Sequence, residues 1–247
     1  MSFKPLSEMY VIPTPWFPKP PFQISNYIEA WIKYPFLTYF KNTILVVVAA
    51  TMGNVMSSSI TAFGFARIRF PGRDFLFVIL ISTMMLPYQV KIIPLFQMYK
   101  TIGWLNSLWP LIVPAFFASA SPFFVFLMRQ FFLSIPEELA DAARIDGCGF
   151  VNIYLRIFLP LTKPAMVTVA LFSFMDNWND FFMPLIYINS NQFKTLSLGL
   201  AGMTGQYVSD WHIIMAASVI TVLPCVIIFL LAQRHFVEGI ALSGIKG

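Results

Sequence analysis

Residues 141–160 read DAARIDGCGFVNIYLRIFLP. Asp141, Arg144, Asp146 and Arg156 stand here with two glycines and a closing proline. The surroundings make such a stretch unusual. Of the 247 residues 58% are hydrophobic and 11% charged, against roughly 25% charged in soluble domains. Mean hydropathy is +0.73. The composition is that of a membrane protein. Its 18 prolines fit, because neighbouring helices can satisfy the carbonyls that a proline frees. The formal charge of +5 speaks to topology rather than to nucleic acid, since no basic cluster alternates with aromatics. Cys148 and Cys225 lie too far apart in sequence for a metal pair and read as small apolar side chains.

Outward from that stretch, five segments are long enough to cross a bilayer, which takes roughly 20 mainly apolar residues. Residues 42–66 carry no charge. Residues 75–97 are apolar except for Lys91, with Pro87 and Pro94 inside. Residues 105–128 are uncharged and hold Pro110, Pro114 and Pro122, whereas 164–187 contain Asp176 and Asp180. Residues 211–233 are uncharged with Pro224 inside. No ten-residue alternation suggests a barrel. The expected fold is an all-α polytopic membrane protein with five spans. Arg67, Arg69 and Arg73 sit between the first two, and short basic loops stay in the cytoplasm. Alternation then puts 129–163 and 234–247 inside, with 1–41, about 98–104 and 188–210 outside. The inside segments hold every arginine. Trp104, Trp109 and Trp211 are expected as interfacial anchors. The domain reading is an extracytoplasmic amino-terminal segment, 1–41, and a membrane domain, 42–247. Nothing apolar in 1–41 is long enough to carry that head across, so either a preceding helix is expected or the head crosses unaided.

The charged insert begins before Asp141. Ser134-Ile135-Pro136-Glu137 reads as a helix start, with Ser134 capping, Glu137 closing a capping box and Pro136 in the first turn. Glu137, Glu138 and Asp141 favour the positive end of the helix dipole. Ala140, Ala143 and Gly147 form a small-residue stripe, and Gly147 is a natural stop. Phe150, Ile153, Tyr154, Ile157 and Phe158 then recur at helical spacing until Pro160. The expectation is a cytoplasmic hairpin, 134–160, of two short helices joined at glycine. One apolar face would rest on the membrane domain, and a small, charged face would admit a partner's backbone. A bare connector between two spans would show the same periodicities.

The stretch resembles the EAA motif of ABC importer permeases: Glu-Ala-Ala, three residues, Gly, nine residues, Ile, one residue, Leu-Pro. Here it is Asp141-Ala142-Ala143, then Gly147, then Ile157, Leu159 and Pro160. Asp141 in place of the glutamate keeps the charge and shortens its reach. The resemblance is to the maltose-type, carbohydrate-importing branch and extends over nearly the whole chain. AFGFARIRFPGRD (62–74), MMLPYQVKIIPLF (84–96), RQFFLSIPEELADAARIDG (129–147), WNDFFMPL (178–185) and QRHFVEGIALSGIKG (233–247) stand in that branch's order. It implies a type I ABC importer transmembrane domain. Such domains usually have six spans, which would leave the first one absent here. It further implies a plasma-membrane location, a second related permease, an ABC ATPase dimer, an extracytoplasmic solute-binding protein and a sugar substrate. The hairpin would dock in the ATPase, with Glu138, Asp141, Ala142, Ala143, Gly147, Ile157, Leu159 and Pro160 coupling the two. The chain has no phosphate-binding loop, because Ile245 stands where the nearest glycine string needs its lysine. ATP is therefore expected on a separate subunit, with no cofactor here.

Asp176, Asn177, Asn179 and Asp180 lie within an apolar stretch, where polar groups are expensive and by default functional or paired. Asp176 and Asp180 are spaced to share a helix face, as a pathway wall, a gate or a contact to the partner. Lys91 is expected to snorkel to the surface, and His212 and His235 to sit at span ends. Met84 and Met85 read as packing, and Gly53 with Ser57, Ser58 and Ser59 as a close helix approach. The tail, Phe236 to Gly247, reaches the ATPase in relatives or simply frays. No Ser-His-Asp, paired-acid or metal set converges, so no catalytic or metal residues are expected. Two alternatives stay open: a permease for a polyol, glycerol phosphate, amino acid or peptide, and an ion-coupled carrier using Asp176 and Asp180.

Overall fold

The computed structural model describes residues 1–9, 11, 12, 17, 20–117, 122–204 and 210–244, with side chains described as far as Leu231. Among these residues every regular element is helical. Helix α1 (Ser25–Lys33) leads into α2 (Phe36–Arg67), whose 32 residues span about 48 Å at 1.5 Å per residue. Helices α3 (Arg73–Ser82) and α4 (Tyr88–Thr101) follow, then α5 (Pro122–Ser134) and α6 (Glu138–Ile145). Helix α7 (Lys163–Asn179) is followed by the short α8 (Phe182–Tyr187) and α9 (Leu196–Ala201), and α10 (Trp211–Gly244) closes the chain.

Of the five apolar stretches, the first and the last form uninterrupted helices long enough to cross a membrane, Phe36–Arg67 and Trp211–Leu231. The second breaks. Arg73–Met85 and Tyr88–Thr101 meet at 98°, because Pro87 fixes its own φ and pushes Leu86 out of the helical region (ψ 112°). Pro110 and Pro114 divide the third into the turns Trp109–Ile112 and Val113–Phe116 before α5. The fourth does not run through to 187: α7 stops at Asn179, Asp180 is extended (ψ 115°), and α8 starts afresh. At its other end α7 meets Phe150–Leu161 at 76°.

Helix α2 is the spine, with α5, α7 and the Val113–Phe116 turn packed along it. Gly53 allows the last of these contacts. A β-carbon there would lie 2.8 Å from the Phe116 ring and 3.0 Å from the Ala115 backbone. Ser57 donates to the Ala115 carbonyl at 2.9 Å. One end of the spine, around Ala62, Phe63 and Ala66, shares a core with Met128 and Phe132 of α5 and with Ala140, Ala143, Ile153 and Phe158 of the hairpin. The other end, around Phe36 and Tyr39, packs with Ala30, Trp178, Leu196, Ile213 and Ile214. A third cluster joins Val46 to Tyr99, Leu111, Tyr187 and Leu198. The hairpin thus sits at the Arg67 end of the spine, and α1, α9 and the start of α10 at the opposite end.

Candidate functional site

The hairpin is anchored through one arginine. At the end of α2, Arg67 donates to the carbonyls of Phe132 and Ile135 at the end of α5. It also lies over the Phe158 ring, 4.8 Å from the centroid. The carbonyls that end an α-helix have no partner within it, and Arg67 fills that need while touching the hairpin's second limb. Ser134 does not start a helix as its sequence context suggests. It ends α5, and its hydroxyl donates to the Phe131 carbonyl at 2.8 Å. Helix α6 starts at Glu138 with Glu137 before it and no side-chain cap, and the Glu137 carboxylate faces Arg69 at 3.4 Å.

Gly147 ends α6 in the left-handed region (φ +80°). Its N–H reaches the Arg144 carbonyl at 3.0 Å, and that of Cys148 the Ala143 carbonyl at 2.9 Å. These are the two bonds of a Schellman stop. The small-residue stripe is split: its two alanines face inward, contrary to the docking face expected of them, and Gly147 faces outward. Ala140 and Ala143 are buried against the membrane core, while Asp141, Ala142 and Gly147 are exposed. Asp141 already has a partner in Arg144, 2.6 Å away and three residues on. The second limb passes from Phe150–Ile153 into a π-helical turn, Tyr154–Phe158. Pro160 cannot donate to the Arg156 carbonyl, and the wider turn brings Ile153 and Phe158 into the core. The Tyr154 hydroxyl meets that of Ser59 on α2 at 2.9 Å. Ile157 and Leu159 are half-buried and Pro160 exposed. On the outer face of the hairpin Ile145 is 86% and Val151 69% exposed, with Phe150 and Leu155 beside them in chain order.

The second polar group lies at the other end of α7. Asp176, Asn177, Asn179 and Asp180 line one open groove of about 690 Å³ together with Met175, Phe181 and Phe182. Asp180 does not continue the face of Asp176. It has left the helix, and its carboxylate accepts the N–H groups of Phe182 and Met183, both at 3.1 Å, to cap α8. Asn177 donates to the Ser173 carbonyl at 2.6 Å. Asn54 donates to the Ser173 hydroxyl at 2.9 Å from the middle of α2. Asn179 donates to the Met175 carbonyl at 2.8 Å. Trp178, between them, is buried and donates to the Thr221 carbonyl of α10 at 3.0 Å. The groove is therefore held on three helices.

The family model described as "Binding-protein-dependent transport system inner membrane component" matches residues 53–241. The chain belongs to this family. It is similar to the probable ABC transporter permease protein YurM of Bacillus subtilis, 34% identical over 96% of this chain and 76% of that one. It is also similar to the arabinooligosaccharides transport system permease protein AraQ of Halalkalibacterium halodurans, 36% identical over 85% of this chain and 74% of that protein. Its fold matches a crystal structure of a bacterial ABC transporter involved in the import of the acidic polysaccharide alginate. That match has a TM-score of 0.79 at 23% identity and covers 89% of this chain and 81% of that one.

The permease is accordingly a multi-pass protein of the plasma membrane and a non-catalytic transport component. The remaining sequence candidates fall in varied places. Lys91 lies 5.6 Å from the Tyr88 ring centroid, and Tyr88 joins hydroxyls with Tyr187 at 2.9 Å. His212 is in the first turn of α10. Met84 is half-covered and Met85 is 83% exposed, so Met85 does not serve as core packing within the chain. The side chains of His235 and of the tail from Phe236 to Gly247 lie outside the described residues. Sequence reasoning missed Arg67, Asn54 and Ser173. An asparagine in the middle of an uncharged, spanning-length stretch was the available signal for Asn54.

Proposed function

We propose that the permease forms part of the translocation pathway of an ATP-driven carbohydrate importer. It would act beside a second related permease, with an ABC ATPase dimer on the hairpin side and a solute-binding protein on the opposite side. The carrying observation is the construction of the hairpin. Its inner face is continuous with the core of α2 and α5, while Ile145 and Val151 point away from that core, mostly exposed. An exposed apolar patch beside Asp141 and Glu138 suits a protein partner. A partner that moved it would move the end of α2 through Arg67. Closure of the ATPase would then be felt along the spine, and the groove at Asp176–Asp180 would open or close in response. The arabinooligosaccharide transport of a relative supports a carbohydrate, and the groove's amides and carboxylates suit hydroxyl groups.

The test is co-purification of the ATPase from membranes with wild-type chain and with Ile145→Asp, followed by ATP-dependent uptake of labelled oligosaccharides in vesicles. Loss of ATPase and uptake together in the variant supports the reading. Uptake that needs an ion gradient and no ATP overturns it. Uptake of glycerol phosphate but no oligosaccharide overturns the choice of solute alone.

A further inference from the structure

Helix α1 is turned the wrong way round for a helix in water. Its buried positions are Asn26 and Ala30, whereas Ile24, Ile28 and Ile32 are 64%, 59% and 78% exposed. At about 100° per residue, the helix divides into three sectors. Ile24, Ile28, Ile32 and Trp31 share an arc of about 100° and are all exposed. Ser25, Glu29 and Lys33 follow on the next arc, also exposed. Asn26 and Ala30 fill the inward arc. There the Asn26 amide donates to the carbonyls of Ser2 and Lys4, at 2.8 and 3.0 Å, and Ala30 enters the core with Phe36 and Ile213. Lys33 is tied to Asp210 at the foot of α10. The helix is thus fixed to its own protein by one face while its most apolar face is left uncovered.

We propose that α1 lies in the membrane–water boundary of the leaflet opposite the hairpin, with Ile24, Ile28 and Ile32 against lipid acyl chains. The inference uses only the plasma-membrane placement of the family and not the nature of the solute. Three observations select lipid as the occupant. The exposed stripe is followed in the chain by the spanning helix α2, whose first turns also expose Leu37, Ile44 and Leu45, with Lys41 among them as the one exposed charge. The polar arc beside the stripe keeps Glu29 and Lys33 where water can reach them, the arrangement of a helix lying in an interface. Trp31 and Tyr34 stand at the junction with the span, where amphipathic rings concentrate at headgroup level.

The experiment is spin labelling of the full chain in its transporter complex, all native cysteines of the complex replaced. Single cysteines would be placed at 24, 28, 29, 32 and 33, and the complex reconstituted in vesicles of phosphatidylethanolamine and phosphatidylglycerol. The expected result is an oxygen-to-nickel-chelate collision ratio several-fold higher at 24, 28 and 32 than at 29 and 33. High nickel-chelate access at 24, 28 and 32 would mean water covers the stripe and would overturn the proposal. Low access to both reagents there would mean a protein covers it, with the same consequence. Ile28→Ser serves as a second probe, since it leaves the inward contacts untouched. It should shift a label at 32 towards nickel-chelate access, and an unchanged ratio would count against lipid contact.

Discussion

Replacing Gly147 separates two jobs that one residue could do. Its φ is +80°, and a β-carbon there would meet nothing within 4 Å. The cost of Gly147→Ala is therefore conformational, about 1–2 kcal/mol for an ordinary residue in the left-handed region. Stiffening of the unfolded chain offsets about 0.4–1 kcal/mol of it. The net loss of about 1 kcal/mol weakens the stop of α6 by somewhat less than tenfold. Gly147→Asn should recover most of that, because asparagine visits this region more readily. Gly147→Trp carries the same backbone cost as alanine within this chain, since the space outside is open. Any further loss in the tryptophan variant reports space claimed by a docked subunit. The assay pairs thermal unfolding of the three variants in detergent with ATP-driven uptake in vesicles. Stability should fall equally for alanine and tryptophan, and uptake should be far lower for tryptophan. Equal uptake in the two refutes docking at Gly147. An alanine variant as stable as the wild type refutes the backbone argument.

Arg67→Met should destabilise the protein by about 2–4 kcal/mol, since charge-assisted hydrogen bonds contribute roughly 1.5–3 kcal/mol and two carbonyls lose their donor. Arg67→Lys should recover only part, because lysine lacks the planar fork; thermal unfolding of both variants checks this. Gly53→Leu should cost about 1–3 kcal/mol by overpacking against Phe116, and a melting temperature equal to the wild type's would contradict the packing described. The Lys33–Asp210 pair holds the Lys33 ammonium above its ordinary pKa, through the hydrogen bond to Asp210 first of all. A raised lysine stabilises the fold fully below the unfolded value near ~10.4 and loses that contribution as pH rises through the folded value. At neutral pH Lys33→Met should therefore cost at most about 1 kcal/mol, as exposed pairs do. The difference from wild type should vanish in strong alkali, as followed by unfolding across that range.

The sequence by itself determined the medium and the family. Hydrophobic runs of spanning length can be satisfied only in lipid, and the spacing from Asp141 to Pro160 is a local pattern that needs no neighbour to be recognised. Gly147 was legible for the same reason, because a helix stop is made by the backbone of a few consecutive residues. Legibility ended where long-range contacts decide. The inward face of Ala140 and Ala143 depends on α2 and α5 being there to receive them, so a small-residue stripe alone could not say which side it served. Asp176 and Asp180 are four residues apart on paper, yet the chain leaves the helix at Asp180 because two amides of α8 need its carboxylate. Arg67 looked like one of three loop arginines until tertiary packing brought the end of α5 and Phe158 beside it. Periodicity assigns residues to faces, but which face is covered, and by what, is set by partners that are distant in sequence.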